Sequence, residues 1–159
     1  MYNLSMFNHA PENYVCPLCQ IAEGQPTNRG DQEQDVVIRN EFVTAFVAGK
    51  WWRSNPAHVV VIPNQHFENM YELPGEAGHA VFDISKKLAI ALKEVYGCDG
   101  TSVRQHNEPA GNQDVWHYHM HVFPRYKGDN LYVNHKDTYW PTDEERLPYA
   151  EKLKKYFAK

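Results

Sequence analysis

The sequence has little that would suit a membrane, a nucleic-acid surface or a disulfide framework. No stretch approaches the roughly 18 uncharged apolar residues that a membrane-crossing helix needs. Basic residues do not dominate. There are 16 Lys and Arg against 20 Asp and Glu, a formal net charge of -4, which argues against a long nucleic-acid face. Cysteine is scarce, at three. The start, Met1-Tyr2-Asn3-Leu4-Ser5, lacks a charged segment followed by an apolar block. An odd cysteine count without such a leader speaks against a disulfide framework and makes the cytoplasm the expected location. Internal repeats and low-complexity segments are also missing. The 159 residues suit one domain with one sizeable core.

The pattern of elements is more informative. Residues 1–13 are polar and irregular and read as a loose arm. Residues 20–34 carry Gly24, Pro26 and Gly30 and read as loop. Three β-branched runs follow, over Asp35 to Arg39, Phe42 to Ala48 and His58 to Pro63, with Asn40-Glu41 as a turn between the first two. Val81, Ile84, Leu88, Leu92 and Val95 recur at helical steps, so Gly75 to Tyr96 is predicted as a long helix stopped by Gly97. Thr101 to His106 and Val115 to Phe123 read as two further strands, with Pro124 ending the last. A short helix is expected over Pro148 to Phe157, with Pro148 in its first turn. The sum is an α+β fold with a five-stranded, mostly antiparallel sheet, one long helix and a C-terminal helix. Residues 14–126 make the domain and residues 127–159 a C-terminal extension. The sheet's edges need cover or pairing, for which dimerisation is one solution.

One strand carries chemistry. In His117-Tyr118-His119-Met120-His121, alternation puts the three imidazoles on one face, about 6.5–7 Å apart. Trp116, Tyr118, Met120 and Val122 take the other, apolar face. The three histidines are either surface residues of a half-exposed sheet, metal ligands, or groups for phosphate chemistry, since imidazole titrates near neutrality and has two distinct nitrogens. Separately, Cys16-Pro17-Leu18-Cys19 has the spacing of half a zinc site, or is a pair of reduced cysteines. Cys98 reads as a small buried residue.

The segment from Asn107 to Arg125, with Gln113 four residues before the first histidine and Pro124-Arg125 after the apolar pair Val122-Phe123, resembles the signature of the histidine triad family. The run Asn55 to His66 resembles that family's second hallmark strand. The likeness extends from about Cys16 to Arg125.

This resemblance implies a role for each position. His119 would be the nucleophile on an α-phosphorus, forming a covalent nucleotidyl-histidine. The backbone carbonyl of His117 would orient it. His121 would donate to a phosphate oxygen, and Gln113 would also contact phosphate, or serve as a turn residue. Asn107 would reach ribose or phosphates, or shape a turn. Phe46 would lie against the base, or pack in the core, and His58 would support the active site. Zinc would be structural, held by Cys16, Cys19, His66 and His117 in a closed set. The resemblance also implies a homodimer and a nucleotide substrate, while charge and the lack of a long apolar run lead us to expect no nucleic-acid or membrane partner.

Some positions depart from the family pattern. Ala48 stands where a ribose-binding Asp is common, followed by a longer loop with Trp51 and Trp52 that can contribute stacking. Asp114 replaces a Ser or Thr that helps the leaving group, and an ionised carboxylate has no proton to give. His106 replaces a common Asn. Arg125 is either a distal-phosphate ligand or a solvated strand-end residue. His9, His79 and His135 read as surface. The expected activity is hydrolysis or transfer at the α-phosphate of a dinucleoside polyphosphate, phosphoramidate or nucleotidyl sugar. Two other readings stand beside it: a zinc-dependent hydrolase whose triad holds a catalytic metal, and a non-catalytic nucleotide-binding module.

Overall fold

Nearly unbroken apolar runs over Val43–Val47 and Val59–Pro63 are buried on both faces, and this decides the architecture. The computed structural model describes residues 4–134 and 136–159, so Met1 to Asn3 of the arm and His135 lie outside the described residues. In chain order the elements are α1 (Pro17–Ala22), β1 (Val36–Arg39), β2 (Val43–Val47), β3 (Trp51–Trp52), β4 (Val59–Pro63), α2 (Gly75–Tyr96), β5 (Gly100–Gln105), β6 (Met120–Arg125), β7 (Thr138–Tyr139) and α3 (Asp143–Phe157). Five strands form one antiparallel sheet in the order β1-β2-β4-β6-β5, and β3 pairs with β7 apart from it. The fold is the expected α+β arrangement.

Val43, Ala45, Val47, Val59 and Val61 point to one face, where they meet Val81, Leu88 and Leu92 of α2 and Ala150 and Leu153 of α3. Burying a side chain such as Leu88 completely contributes roughly 1.5–3 kcal/mol. The alternate residues Phe46, Ala48, Val60 and Ile62 point to the other face and meet Leu18 and Ile21 of α1. That second face is only partly covered, and the cleft described below occupies the remainder. No helix among the described residues is long and apolar enough to cross a membrane.

The long helix has the predicted span and stops at Gly97, whose φ of 66° suits glycine. Its Val95 is half-buried rather than core. The C-terminal helix starts five residues earlier than expected, at Asp143. Thr142 and Glu145 form a reciprocal cap there, and Pro148 falls inside the helix. The capping pair sets the start, and Pro148, in the second turn, leaves the Glu144 carbonyl without its backbone donor. Nor is this segment peripheral. The Arg146 guanidinium, 3% exposed, donates to Asp35 at 3.0 Å, to Asp143 at 2.6 Å and to the carbonyls of Pro141 and Gly30.

The described part of the N-terminal arm is tied down. The backbone amides of His9 and Ala10 donate to the Glu68 carboxylate, and Asn69 donates to the Phe7 carbonyl.

The histidine strand differs from expectation. β6 begins only at Met120 and continues through Pro124 to Arg125. Before Met120 the backbone turns to other partners: the Tyr118 amide donates to the Phe67 carbonyl at 2.6 Å. Pro124 is tolerated because β4 has ended by then, Val59 pairing with Val122. Trp116 and Met120 are only half-buried, whereas Tyr118 and Val122 reach the core.

Candidate functional site

Local geometry first brings the two early cysteines together. Cys16 is the N-cap of α1 and Pro17 its first residue, so Cys19 follows one turn on, with its amide donating to the Cys16 sulfur at 3.4 Å. His66 follows β4, and His117 precedes β6 on the neighbouring strand. Their ligand atoms and the two sulfurs all lie within 4.8 Å of one another. Cys16 Sγ is 3.3 Å from His117 Nδ1, and Cys19 Sγ is 3.3 Å from His66 Nδ1 and 3.5 Å from His117 Nδ1.

Donor atoms of a tetrahedral zinc site stand about 3.3–3.8 Å apart, given metal–ligand distances of roughly 2.0–2.3 Å. The protonation pattern agrees. His117 Nε2 is 3.0 Å from the Pro63 carbonyl, so it carries the proton and leaves Nδ1 bare for a metal. The hydrogen bond from Cys19 holds the Cys16 thiol well below the usual range, and that same contact with Cys16 pushes Cys19 up. The two sulfurs share one proton, which a bound cation would displace to hold both as thiolates. The four residues therefore fit a zinc ion.

His117 is thus separated from the other two histidines of the triad. His119 and His121 line a cleft of ≈ 240 Å³ over the open sheet face. His119 is 5% exposed, and its Nδ1 donates to the His117 carbonyl at 2.7 Å. Its Nε2 is then the lone-pair nitrogen. Burial pulls the His119 pKa down, so the ring is neutral near pH 7. Burial, with the neighbouring His119 and His58, lowers His121 further.

His58 lies behind His121, with Nε2 3.1 Å from His121 Nδ1. Burial, helped by Arg104 and His119, takes its pKa to about 3. His58 Nδ1 is buried without a partner among the described residues. A buried lone pair is easier to tolerate than a buried N–H. His58 therefore donates through Nε2, and His121 keeps its own proton on Nε2.

The remaining predicted residues divide. Phe46, 2% exposed, forms cleft wall and core at once. Asp114 is in the wall, with Arg29 3.6 Å away. Gln113 is not in the wall. Its amide accepts from the Glu108 amide at 2.8 Å and donates to the carbonyls of Glu68 and Val115. These bonds satisfy the buried amide and pin the loop before the triad. Asn107 is similarly engaged, accepting from the Met70 amide at 2.9 Å and donating to Gln105. Arg125 is bound to Asp129 by two bonds of 2.8 Å. Trp51 packs into the core against Tyr139 and Tyr149, so of the two tryptophans Trp52 lines the cleft.

Sequence reasoning missed Arg29, Asp31, Arg104 and Trp140, all in the cleft wall. Asp31 is 6% exposed and accepts from the Gly49 amide at 2.9 Å, beside the Ala48 that lacks a carboxylate. These residues come from loops or from a strand with no functional periodicity, so spacing carried no signal for them.

A family model described as "HIT domain" matches residues 29–128. The chain is 33% identical over 143 residues to the protein named hit of Bacillus subtilis (strain 168), spanning 87% of this chain and 92% of that one. A HIT-like protein of Bartonella henselae, described as involved in cell-cycle regulation, superposes with a TM-score of 0.66 at 28% identity, covering 76% of this chain and 85% of its own. A Zn-bound histidine triad family protein of Mycobacterium smegmatis shares the fold, with a TM-score of 0.71 at 23% identity over 91% and 94% of the two chains. A model match across most of the chain, together with that identity to the Bacillus protein, means that the chain belongs to the HIT family.

Proposed function

We propose that the protein is a nucleotide hydrolase or nucleotidyltransferase acting at the α-phosphate of a nucleoside phosphate through His119. The observation that carries this reading is the 2.7 Å bond from His119 Nδ1 to the His117 carbonyl. It leaves a neutral Nε2 on the cleft side, as a nucleophile requires. In the first step the Nε2 lone pair forms a bond to Pα, and the bond from Pα to the leaving group breaks with its electron pair. In the second step water forms a bond to Pα, the P–N bond breaks, and the water proton passes to solvent. His121 Nε2–H donates to the non-bridging oxygen on which charge grows. Phe46 and Val60 offer an apolar wall to the base, and Asp31 accepts from the sugar hydroxyls in place of a carboxylate at position 48.

In this reading zinc is structural. Cys16, Cys19, His66 and His117 hold it and fill its tetrahedron, so that His117 stays rigid and its carbonyl stays aimed at His119. The Cys/His cluster supports a second reading, a zinc-dependent hydrolase, because the cluster includes a triad residue. Zinc would then supply Lewis-acid activation of water. A third reading, a nucleotide-binding module that does not cut, rests on Asp114 at the leaving-group side.

One experiment separates the three. The zinc-loaded protein is given a dinucleoside polyphosphate and a phosphoramidate labelled at the α-phosphate, then quenched in alkali. Labelled protein that disappears in the His119→Asn variant at unchanged zinc content supports the first reading. Turnover without label, lost together with zinc, favours the second. Binding without nucleoside monophosphate release favours the third.

A homodimer is part of the proposal. Among the described residues strand β5 pairs only with β6 and leaves one edge free, and Phe82, Ile90 and Val103 are exposed. Light scattering that gives a monomer mass at micromolar concentration would remove it.

A further inference from the structure

The register of the sheet lays out the cleft as a row. Phe46 on β2 faces Val60 on β4, Val60 faces His121 on β6, and His121 faces Arg104 on β5. Residues opposite one another in paired strands point to the same face, and all four line the cleft. With strands about 4.8 Å apart, Arg104 lies one strand beyond His121, and Phe46 lies about 10 Å away on the other side. A substrate with its base on Phe46 and its α-phosphate at His119 and His121 directs its leaving group at Arg104.

Arg104 differs from the other two cations of the cleft wall, of which Lys50 is exposed to water. Arg29 has Asp114 as a partner. Arg104 has no carboxylate within 4.0 Å among the described residues. Its guanidinium lies 5.4 Å from the centre of the Trp52 ring and 5.0 Å from that of Phe123. Aromatic faces steady a guanidinium without neutralising it. It is half-buried, and loss of hydration lowers its pKa. A half-buried, unpaired cation costs free energy that an anionic ligand would recover.

Resting on the reading of His119 as nucleophile, we propose that Arg104 selects the leaving group, binding a phosphate attached directly to the α-phosphate. The preferred substrates are then nucleoside diphosphates and longer or dinucleoside polyphosphates, rather than nucleotides esterified or amidated by an uncharged group. The chemistry fits Asp114. As the bond from Pα to the bridging oxygen breaks, its electron pair stays on that oxygen, and a phosphate is a stable anion at neutral pH. No proton donor is needed, only a positive charge facing the developing anion. An amine leaving group would instead need a proton donor.

The test compares wild type, Arg104→Gln and Arg104→Lys on a dinucleoside polyphosphate and a phosphoramidate of the same nucleoside. The ratio of kcat/KM for the two substrates should favour the polyphosphate in wild type. It should fall about 30–100-fold in the Gln variant and partly recover in the Lys variant, as expected when a charge-assisted bidentate contact is lost. An unchanged ratio, with both substrates slowed equally or not at all, would overturn the role. If wild type turns over neither substrate, the His119 reading fails, and calorimetry then decides for Arg104. Tighter binding of a nucleoside diphosphate than of the monophosphate, levelled by Arg104→Gln, supports it. Equal affinities overturn it.

Discussion

His58 Nε2 sits 3.1 Å from His121 Nδ1, and the His58 ring stacks on Phe123 at 4.4 Å between ring centres. The pair is buried. It fixes which nitrogen of His121 carries the proton, and it makes a neutral His58 part of the folded state.

Stability should therefore depend on pH through His58. Unfolded, this histidine takes its proton near 6.5, and folded only near 3. Between those values the unfolded chain holds the extra proton. Stability is thus full above about 6.5 and falls as pH drops towards 3, by at most about 1.4 kcal/mol per pH unit. Urea midpoints of wild type and His58→Phe measured from about pH 7.5 down to about pH 4.5 should diverge by one proton's slope. Parallel curves would show that His58 takes up protons equally in both states.

Replacing His119 by Asn should lower turnover by about 10⁴-fold or more, as for other nucleophiles, while nucleotide binding and zinc content stay near wild type. Steady-state kinetics with elemental analysis of the same sample checks both. Residual turnover within tenfold of wild type would exclude His119 as the nucleophile.

Protein purified without added metal should carry about one zinc per chain. Cys16→Ser should lose it and lower the melting temperature, because ligand binding and folding are linked. Activity should fall as well, through the loosened carbonyl of His117. Metal-free protein that melts like wild type would refute the four-ligand site.

Arg146→Ala should cost about 3–5 kcal/mol, the usual effect of leaving a buried carboxylate unpaired, here that of Asp35. Zinc content should not change, because the ion pair lies under α3 and away from the cysteines. A urea midpoint within error of wild type would show that α3 is not needed by the domain.

Asp31→Asn should leave the melting temperature unchanged or slightly higher, since burial already disfavours the charged carboxylate and an amide oxygen can still accept from Gly49. Affinity for a nucleoside monophosphate should fall about tenfold, the scale of one hydrogen bond to a charged group. For the 2′,3′-dideoxy analogue it should hardly move. Equal losses for both ligands would remove Asp31 from the sugar site.

The sequence by itself determined what depends on local repetition. The apolar steps from Val81 to Leu92 and the stop at Gly97 specified α2, because helix periodicity and a left-handed cap are properties of neighbouring residues. Alternation at His117, His119 and His121 marked the candidate site even though its first half lies outside the ladder. The backbone bends at residues 115–117, so His119 and His121 share the cleft face while His117 turns to the cysteines. The capping pair Thr142 and Glu145 was equally local, yet Pro148 drew the predicted helix start to itself.

Tertiary structure decided the rest. Only folding brings Cys16 and Cys19 to His66 and His117, and only the separate partners of each ring split the triad into one member of the Cys/His cluster and two cleft residues. Gln113 and Asn107 carry polar groups that could serve a phosphate or the protein itself, and folding commits Gln113 to backbone groups and Asn107 to the Met70 amide and the Gln105 side chain. Arg104 has no motif at all. Its place beyond His121 follows from the pairing register of β5 and β6, which is set by contacts between distant parts of the chain.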